Sequence, residues 1–337
     1  MHTKEFDYDL PEAAIAQKAI EPRDSSRLLV ADSMSDMHFS DLPVVLDPGD
    51  LVVVNRTRVR AARLIGRRLP GGGRTEILLT QRVDPQRWRA LVRPAAKLRA
   101  GSQIACDGLD VSLLTDPAEG VATVTITADG DVEQAIESGG EMPLPPYFKG
   151  TIDHPDRYQT VFADRLGSSA APTAALHFTH DVLDSLSIRN IPVATVELEV
   201  GLDTFRPMLE GHVEDHRIHT ERIVVPASAV AAVAAARLRG GKVVAVGTTV
   251  VRALESAGRR GGQISQFDGP TSLFIRPGYV PKVVDGVVTN FHAPRTTLLV
   301  LLAALMGERW RDVYAHALDN NYRFLSFGDA MYFETDR

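Results

Sequence analysis

At 337 residues, with 44% hydrophobic and 24% charged residues and a formal net charge of −6, the chain exceeds one small core and suits a soluble protein of two domains. Its single cysteine, Cys106, excludes an internal disulfide and fits a reducing cytoplasm. The start, Met1–Asp9, lacks a secretory apolar run, and the longest strongly apolar stretch, Leu298–Met306, is too short to span a bilayer, so a cytoplasmic chain without membrane partners is expected.

In chain order, a helix is predicted over Pro11–Gln17, because Pro-Glu suits a first helical turn. Ser26–Val30 reads as a strand and Asp47–Asp50 as a turn. Leu51–Asn55 is a continuous β-branched apolar run, the pattern of a strand buried on both faces. The runs then become short and alternating: Ala62–Gly66, Thr75–Thr80, Arg87–Val92, Gly101–Ala105 and Ala122–Thr127, with turns at Gly71–Gly73 and Asp129-Gly130. This predicts a small antiparallel β-barrel over residues 58–147, closing near the Pro-rich Pro143–Tyr147. The barrel would be inserted into a large α/β domain formed by residues 1–57 and 148–337. In that domain, strands at Val193–Val200, Lys242–Gly247, Leu273–Ile275 and Gly286–Asn290 alternate with helices at Ala227–Leu238, Val250–Ala257 and Thr296–Met306, which argues an α/β fold with a mixed sheet.

Charge is unevenly spread. Between Arg56 and Arg99 stand thirteen Arg or Lys residues against Glu76 and Asp84, whereas Ala100–Phe148 holds nine acids and no Lys or Arg. So dense a basic run either neutralises phosphates of a nucleic acid or decorates a solvated face.

Several segments carry candidate chemistry. Gly167–Thr179, Gly-Ser-Ser-Ala-Ala-Pro-Thr-Ala-Ala-Leu-His-Phe-Thr, is small, hydroxylated and stiffened by Pro172, suiting either a ligand loop or a plain connector. Gly247-Thr248-Thr249 joins a buried strand to a helix, where free N–H groups bind anions or merely need a cap. Thr289–Thr297 lies at a second strand-to-helix junction and holds more polar groups than a cap requires. His212, Glu214, Asp215, His216, His219 and Glu221 suggest a zinc site or a polar loop with acid/base histidines, but no His-Glu-x-x-His helix pattern is present. No Walker loop, Gly-x-Gly-x-x-Gly or Cys-x-x-Cys occurs, which disfavours nucleoside triphosphates, dinucleotides and structural zinc.

The order of these segments resembles one family. Gly-Ser-x-Ala-Ala-Pro-Thr-Ala-x-Leu-His-Phe-Thr, Val-Gly-x-x-Thr-Phe-x-Pro, Glu-Asp-His-x-x-His, Val-Gly-Thr-Thr-x-Val-Arg-x-Leu-Glu-Ser, Thr-Asn-Phe-His-x-Pro and Ser-Phe-Gly-Asp-Ala-Met are similar to the S-adenosylmethionine:tRNA ribosyltransferase-isomerases of queuosine biosynthesis. Ser26-Arg-Leu-Leu, Pro48-Gly-Asp-Leu, Pro143–Tyr147 and Tyr158-Gln-Thr-Val extend the likeness over essentially the whole chain. The resemblance implies a large α/β domain with an inserted β-barrel. It also implies transfer and isomerisation of the ribosyl moiety of S-adenosylmethionine to 7-aminomethyl-7-deazaguanine in a tRNA anticodon stem-loop, giving epoxyqueuosine with release of adenine and methionine. S-adenosylmethionine is then the co-substrate, no metal or further cofactor is expected, and the chain is read as a monomer.

The candidate catalytic residues on matching motifs are His177, His216, His219 and His292. Candidate S-adenosylmethionine contacts are Ser168, Ser169, Thr173, Thr248, Thr249, Arg252, Asn290 and Asp329, with Arg252 and Glu255 alternatively an i, i+3 pair. Arg58, Arg67, Arg68 and Arg74 are the candidate RNA contacts. Five positions depart from the family pattern. Glu199 replaces a His, Asp203 and Ala175 each replace a Gly, Ala293 replaces a Leu, and Arg56 replaces an Asn. Two added carboxylates near one strand raise the alternatives of the same chemistry on another acceptor, or of a non-catalytic RNA-binding homologue.

Overall fold

The computed structural model describes residues 1–150, 152, 154–201, 207–209, 211–216, 218, 220–259 and 262–336. The chain divides into two compact units: Met1–Arg58, Pro145–Arg165 and Ala171–Arg337 form the larger, Val59–Leu144 and Leu166–Ala170 the smaller. Against the predicted boundaries, re-entry shifts to Pro145, and Leu166–Ala170 returns to the smaller unit. There the Arg60 N–H donates to the Ser168 carbonyl at 2.9 Å and Ser169 Oγ to the Leu79 carbonyl at 3.1 Å.

The chain opens with irregular turns, and the helix predicted over Pro11–Gln17 is only a 3-10 turn at Glu12–Ala14. Tertiary pairing overrides its propensity: the Ala16 N–H donates to the Phe324 carbonyl, and the Phe324 N–H to that of Ala14. Next come β1 (Arg27–Val30), β2 (Ser35–His38), the short α1 (Leu42–Val45), β3 (Leu51–Asn55) and β4 (Thr57–Val59).

The smaller unit is a closed barrel of β5 (Arg63–Leu69), β6 (Arg74–Arg82), β7 (Arg87–Arg93), β8 (Gln103–Cys106), β9 (Leu109–Leu113) and β10 (Val121–Thr127). Alternation decides its inside. Leu64, Ile77, Leu79, Trp88, Ala90, Val92, Val124 and Ile126 fill the core while Arg67, Arg74, Arg87, Arg89 and Arg93 stay exposed. Closure leaves no unpaired edge. β9 and α2 (Val132–Gly139) add to the predicted elements, and Asp131 caps α2 by accepting from the Gln134 N–H at 2.8 Å.

β11 (Arg165–Ser168) carries the chain into the Leu166–Ala170 segment of the smaller unit. The larger unit then continues through α3 (His180–Ile188), β12 (Val193–Leu198), β13 (Glu221–Val225), α4 (Ala227–Leu238), β14 (Val243–Val246), α5 (Thr248–Ala257), β15 (Phe267–Thr271), β16 (Gly286–Asn290), α6 (Thr297–Met306), α7 (Trp310–Asp319) and β17 (Ala330–Glu334). Its nine-stranded mixed sheet has the order β15-β13-β12-β3-β14-β16-β17-β1-β2. β12, β3, β14 and β16 are mutually parallel, and β17 runs antiparallel to β16. Every residue of β3, β14 and β16 is buried, as their unbroken apolar runs require. The strand predicted at Leu273–Ile275 instead forms at Phe267–Thr271, where β13 supplies a partner register. That segment contains Gly269 and Pro270 and is tolerated because it lies at the sheet edge.

One carboxylate braces the far side of α5. Glu255 is wholly buried and accepts from the Tyr279 hydroxyl at 2.8 Å and from the N–H groups of Lys282, Val283 and Val284 at 2.9 Å. Arg252 and Glu255 thus do not pair with each other. Glu255→Ala would strand four donors, each costing about 1–3 kcal/mol. A loss of roughly 3 kcal/mol or more in urea-unfolding free energy is expected, and wild-type stability would refute the bracing role.

Candidate active site

A cleft opens beyond the carboxyl ends of the parallel strands, the usual place for ligands in α/β sheets. Two strand-to-helix junctions shape it. At the first, β14 is followed by Gly247, whose φ of +89° is unfavourable for any residue with a side chain. Gly247 lets the chain turn directly into α5, which has no side-chain cap. The first N–H groups of α5 have no intrahelical acceptor, and Thr248 and Thr249 line the cleft beside them. Thr249 Oγ1 is buried without a hydrogen-bond partner among the described residues.

At the second junction β16 ends in Asn290. Thr173 Oγ1 donates to Asn290 Oδ1 at 3.0 Å, and Asn290 Nδ2 donates to the Asp329 carbonyl at 3.4 Å, which fixes the amide's orientation. His292 follows. Its N–H donates to Tyr314 Oη at 2.8 Å, its carbonyl accepts from Tyr8 Oη at 2.5 Å, and its Nε2 lies 3.1 Å from Thr289 Oγ1. Burial lowers the His292 pKa to about 3, so the ring is neutral at physiological pH. Tyr8, Tyr314, Phe291 and Phe324 pack edge-on or tilted behind this loop and hold it rigid. Opposite them, the Tyr147 hydroxyl pairs with Ser326 Oγ, and burial pushes its pKa up to about 12.

The structure therefore brings together Thr173, Thr248, Thr249, Asn290 and His292 from the predicted set. It leaves others outside. His177 is 4% exposed, stacks on Phe39, and sets Nδ1 and Nε2 each 3.0 Å from the carbonyls of Ala174 and Gly328. Burial lowers its pKa, and its place is beneath the cleft wall, tying two loops together. Asp329 spends its carboxylate on the N–H groups of Arg27 and Arg323 and on the Arg323 guanidinium, closing a turn. Ser168 and Ser169 belong to the smaller unit, where Ser169 Oγ is committed to backbone carbonyls. Arg252 forms a buried ion pair with Glu221 and donates through Nε to the Leu273 carbonyl at 3.1 Å, so it does not line the cleft either.

Of the His212–Glu221 cluster, His216 lies with its ring 6.2 Å from that of Phe274 and away from the cleft lining, while His219 falls outside the described residues. Among the described residues no group of three His, Cys, Asp or Glu is placed to hold a metal ion. Tyr147, Leu325 and Ser326 line the cleft without having been singled out as contacts. Their signal was present only as motif text, because a Tyr after prolines and a Ser before Phe-Gly reveal no common location.

On the smaller unit, Arg60 and Arg82 pair with Glu133, Arg63 with Glu76 and Glu141, and Arg87 with Asp84. Among the described residues Arg67, Arg68, Arg74, Arg93, Lys97 and Arg99 form no such pair. They gather where the β5–β6 hairpin and the β7–β8 connection share one end of the barrel. Arg67 and Arg74 face each other across the ladder, a like-charge pairing that a polyanion would relieve. Arg58 is exposed at the end of the larger unit's first segment.

Of the departures from the family pattern, Asp203 lies outside the described residues, and Glu199 reaches Arg222 at 3.6 Å. Its neighbour Val200 lines the cleft and Glu199 does not. Glu199→His is accordingly expected to leave the turnover number and the substrate's KM within about twofold, as befits an exposed ion pair. A tenfold change in either constant would place residue 199 in the site.

The family model described as "Queuosine biosynthesis protein" matches residues 3–333. The S-adenosylmethionine:tRNA ribosyltransferase-isomerase of Symbiobacterium thermophilum is 46% identical, over 98% of this chain and 99% of that protein. The protein of the same name from Gloeobacter violaceus is 47% identical, over 98% of this chain and 95% of its own. The crystal structure of S-adenosylmethionine tRNA ribosyltransferase from Thermotoga maritima is 34% identical with a TM-score of 0.56, covering 98% of this chain and 99% of that one. A match of this extent, on a fold whose cleft is built from the motif segments themselves, makes the chain a member of the queuosine biosynthesis family.

Proposed function

We infer that the chain transfers and isomerises the ribosyl moiety of S-adenosylmethionine to 7-aminomethyl-7-deazaguanine in tRNA, giving epoxyqueuosine and releasing adenine and methionine. The observation that carries this is the end-to-end likeness to relatives named S-adenosylmethionine:tRNA ribosyltransferase-isomerase. In this reading the uncapped N-terminus of α5, with Thr248 and Thr249, receives the methionine carboxylate, since its N–H groups and dipole favour an anion. Thr173 and Asn290 meet the ribose hydroxyls, and the apolar wall of Ala171, Val200, Leu298 and Leu325 shields the sulfonium region from water. His292 is the histidine that lines the cleft among the described residues, and it acts there as a neutral ring.

The RNA partner is assigned to the unpaired basic end of the barrel, as the anticodon stem-loop's phosphates need cations that no protein carboxylate already holds. Incubation with S-adenosylmethionine and tRNA bearing 7-aminomethyl-7-deazaguanine should release adenine and yield a nucleoside of epoxyqueuosine mass. Bound S-adenosylmethionine with no adenine release would overturn the choice of acceptor. Reversing Arg67, Arg68 and Arg74 to Glu should weaken tRNA binding about tenfold or more and flatten its dependence on salt, with S-adenosylmethionine affinity unchanged. Unaltered tRNA affinity would remove this face from the RNA site.

A further inference from the structure

Thr289 stands in the buried strand β16, is 1% exposed, and is fixed in register opposite Met331 of β17. Its hydroxyl meets one group among the described residues, His292 Nε2 at 3.1 Å. Two proton arrangements fit that distance. If Nε2–H donates to Oγ1, the hydroxyl proton is left buried with no acceptor. If the hydroxyl donates to Nε2, both atoms are satisfied and the ring's proton resides on Nδ1. An unpaired buried donor is penalised enough to favour the second arrangement by roughly tenfold or more.

Nδ1 has no partner among the described residues, yet it is not one of the sealed polar atoms, and His292 lines the cleft. Tyr314 and Tyr8 hold the His292 backbone on either side of its Cα, and the ring itself is oriented by the Thr289 contact. We propose that Thr289 holds His292 in the Nδ1–H tautomer, so that the neutral ring presents the cleft with a hydrogen-bond donor for a lone-pair atom of the bound nucleoside.

The identity of that nucleoside rests on the activity inferred above, whereas the tautomer does not. A ring so arranged has no lone pair facing the ligand and therefore does not act as a general base toward it. It keeps its own proton and stabilises negative charge developing on the nucleoside as bonds break. The ionisable groups around it agree with a constant charge state. Burial keeps Tyr8, Tyr314 and Tyr147 protonated and the imidazole uncharged.

Nitrogen-15 NMR of the full chain labelled in its histidine rings, with His292→Gln to assign the signal, should show the Nδ1–H pattern between about pH 6 and pH 8. Thr289→Val keeps the side-chain volume and removes the donor. The tautomer signal is expected to shift toward Nε2–H, and kcat to fall about tenfold or more with KM for S-adenosylmethionine little changed. Thr289→Ser restores a hydroxyl and should recover both the spectrum and most of the rate. An Nε2–H or imidazolium pattern in the parent chain overturns the proposal, and that measurement needs no variant to fold. So does a Thr289→Val loss that Thr289→Ser leaves uncorrected, because the role would then be packing alone. A parent chain that releases no adenine removes the inferred activity, while the NMR result still decides the tautomer.

Discussion

The central strands of the larger unit have no face open to water, so every polar group at their carboxyl ends must find a partner in the protein or in a ligand. The rest of the site follows from how each end meets that demand. β14 turns through Gly247 into an uncapped helix and leaves donors facing the cleft. β16 ends in an asparagine locked by Thr173 and in a histidine gripped by two tyrosines and a threonine. Donors left over at one corner and a neutral ring at the other make the cleft suited to a ligand with an anionic end and several lone pairs.

The polar groups that resemble catalytic residues in the sequence divide into two kinds when placed in space. His177, Asp329, Arg252 and Glu255 are almost wholly buried and make hydrogen bonds with protein groups. They hold loops, turns and helices in the positions that shape the cleft, and their side chains do not line it. His292 and Asn290 are as deeply buried, but each also has a surface on the cleft. Burial alone thus does not distinguish a group that faces the cleft from a brace; the direction of its remaining hydrogen-bond capacity does.

The barrel follows a different rule. Its interior is apolar apart from Thr75, and its charge is sorted along the outer surface according to which arginines find an acid. Those near Glu76, Asp84, Glu133 and Glu141 are neutralised, and those at the far hairpin are not. A formal charge of −6 for the whole chain hides that local excess.

Much of this was legible in the residues alone. β-branched runs such as Leu51–Asn55 and Gly286–Asn290 announce buried strands, and the alternation from Ala62 to Thr127 announces the barrel, because both patterns are local consequences of burial on two faces or one. Ala227–Leu238 was readable as a helix from its run of alanines, the residue with the highest helix propensity. The Gly-Thr-Thr and Thr-Asn-Phe-His junctions marked the cleft because strand-to-helix turns carry their polar groups to one end of a sheet. What the tertiary structure alone decided is partnership across the chain. The helix predicted at Pro11 became a turn when Phe324 took its backbone, and the edge strand at Phe267 formed against its own composition when β13 offered a register. His177 and His292 are alike as motif residues. One meets two carbonyls and the other a hydroxyl and an open cleft, a distinction set by residues up to 151 positions away and therefore invisible to any local pattern.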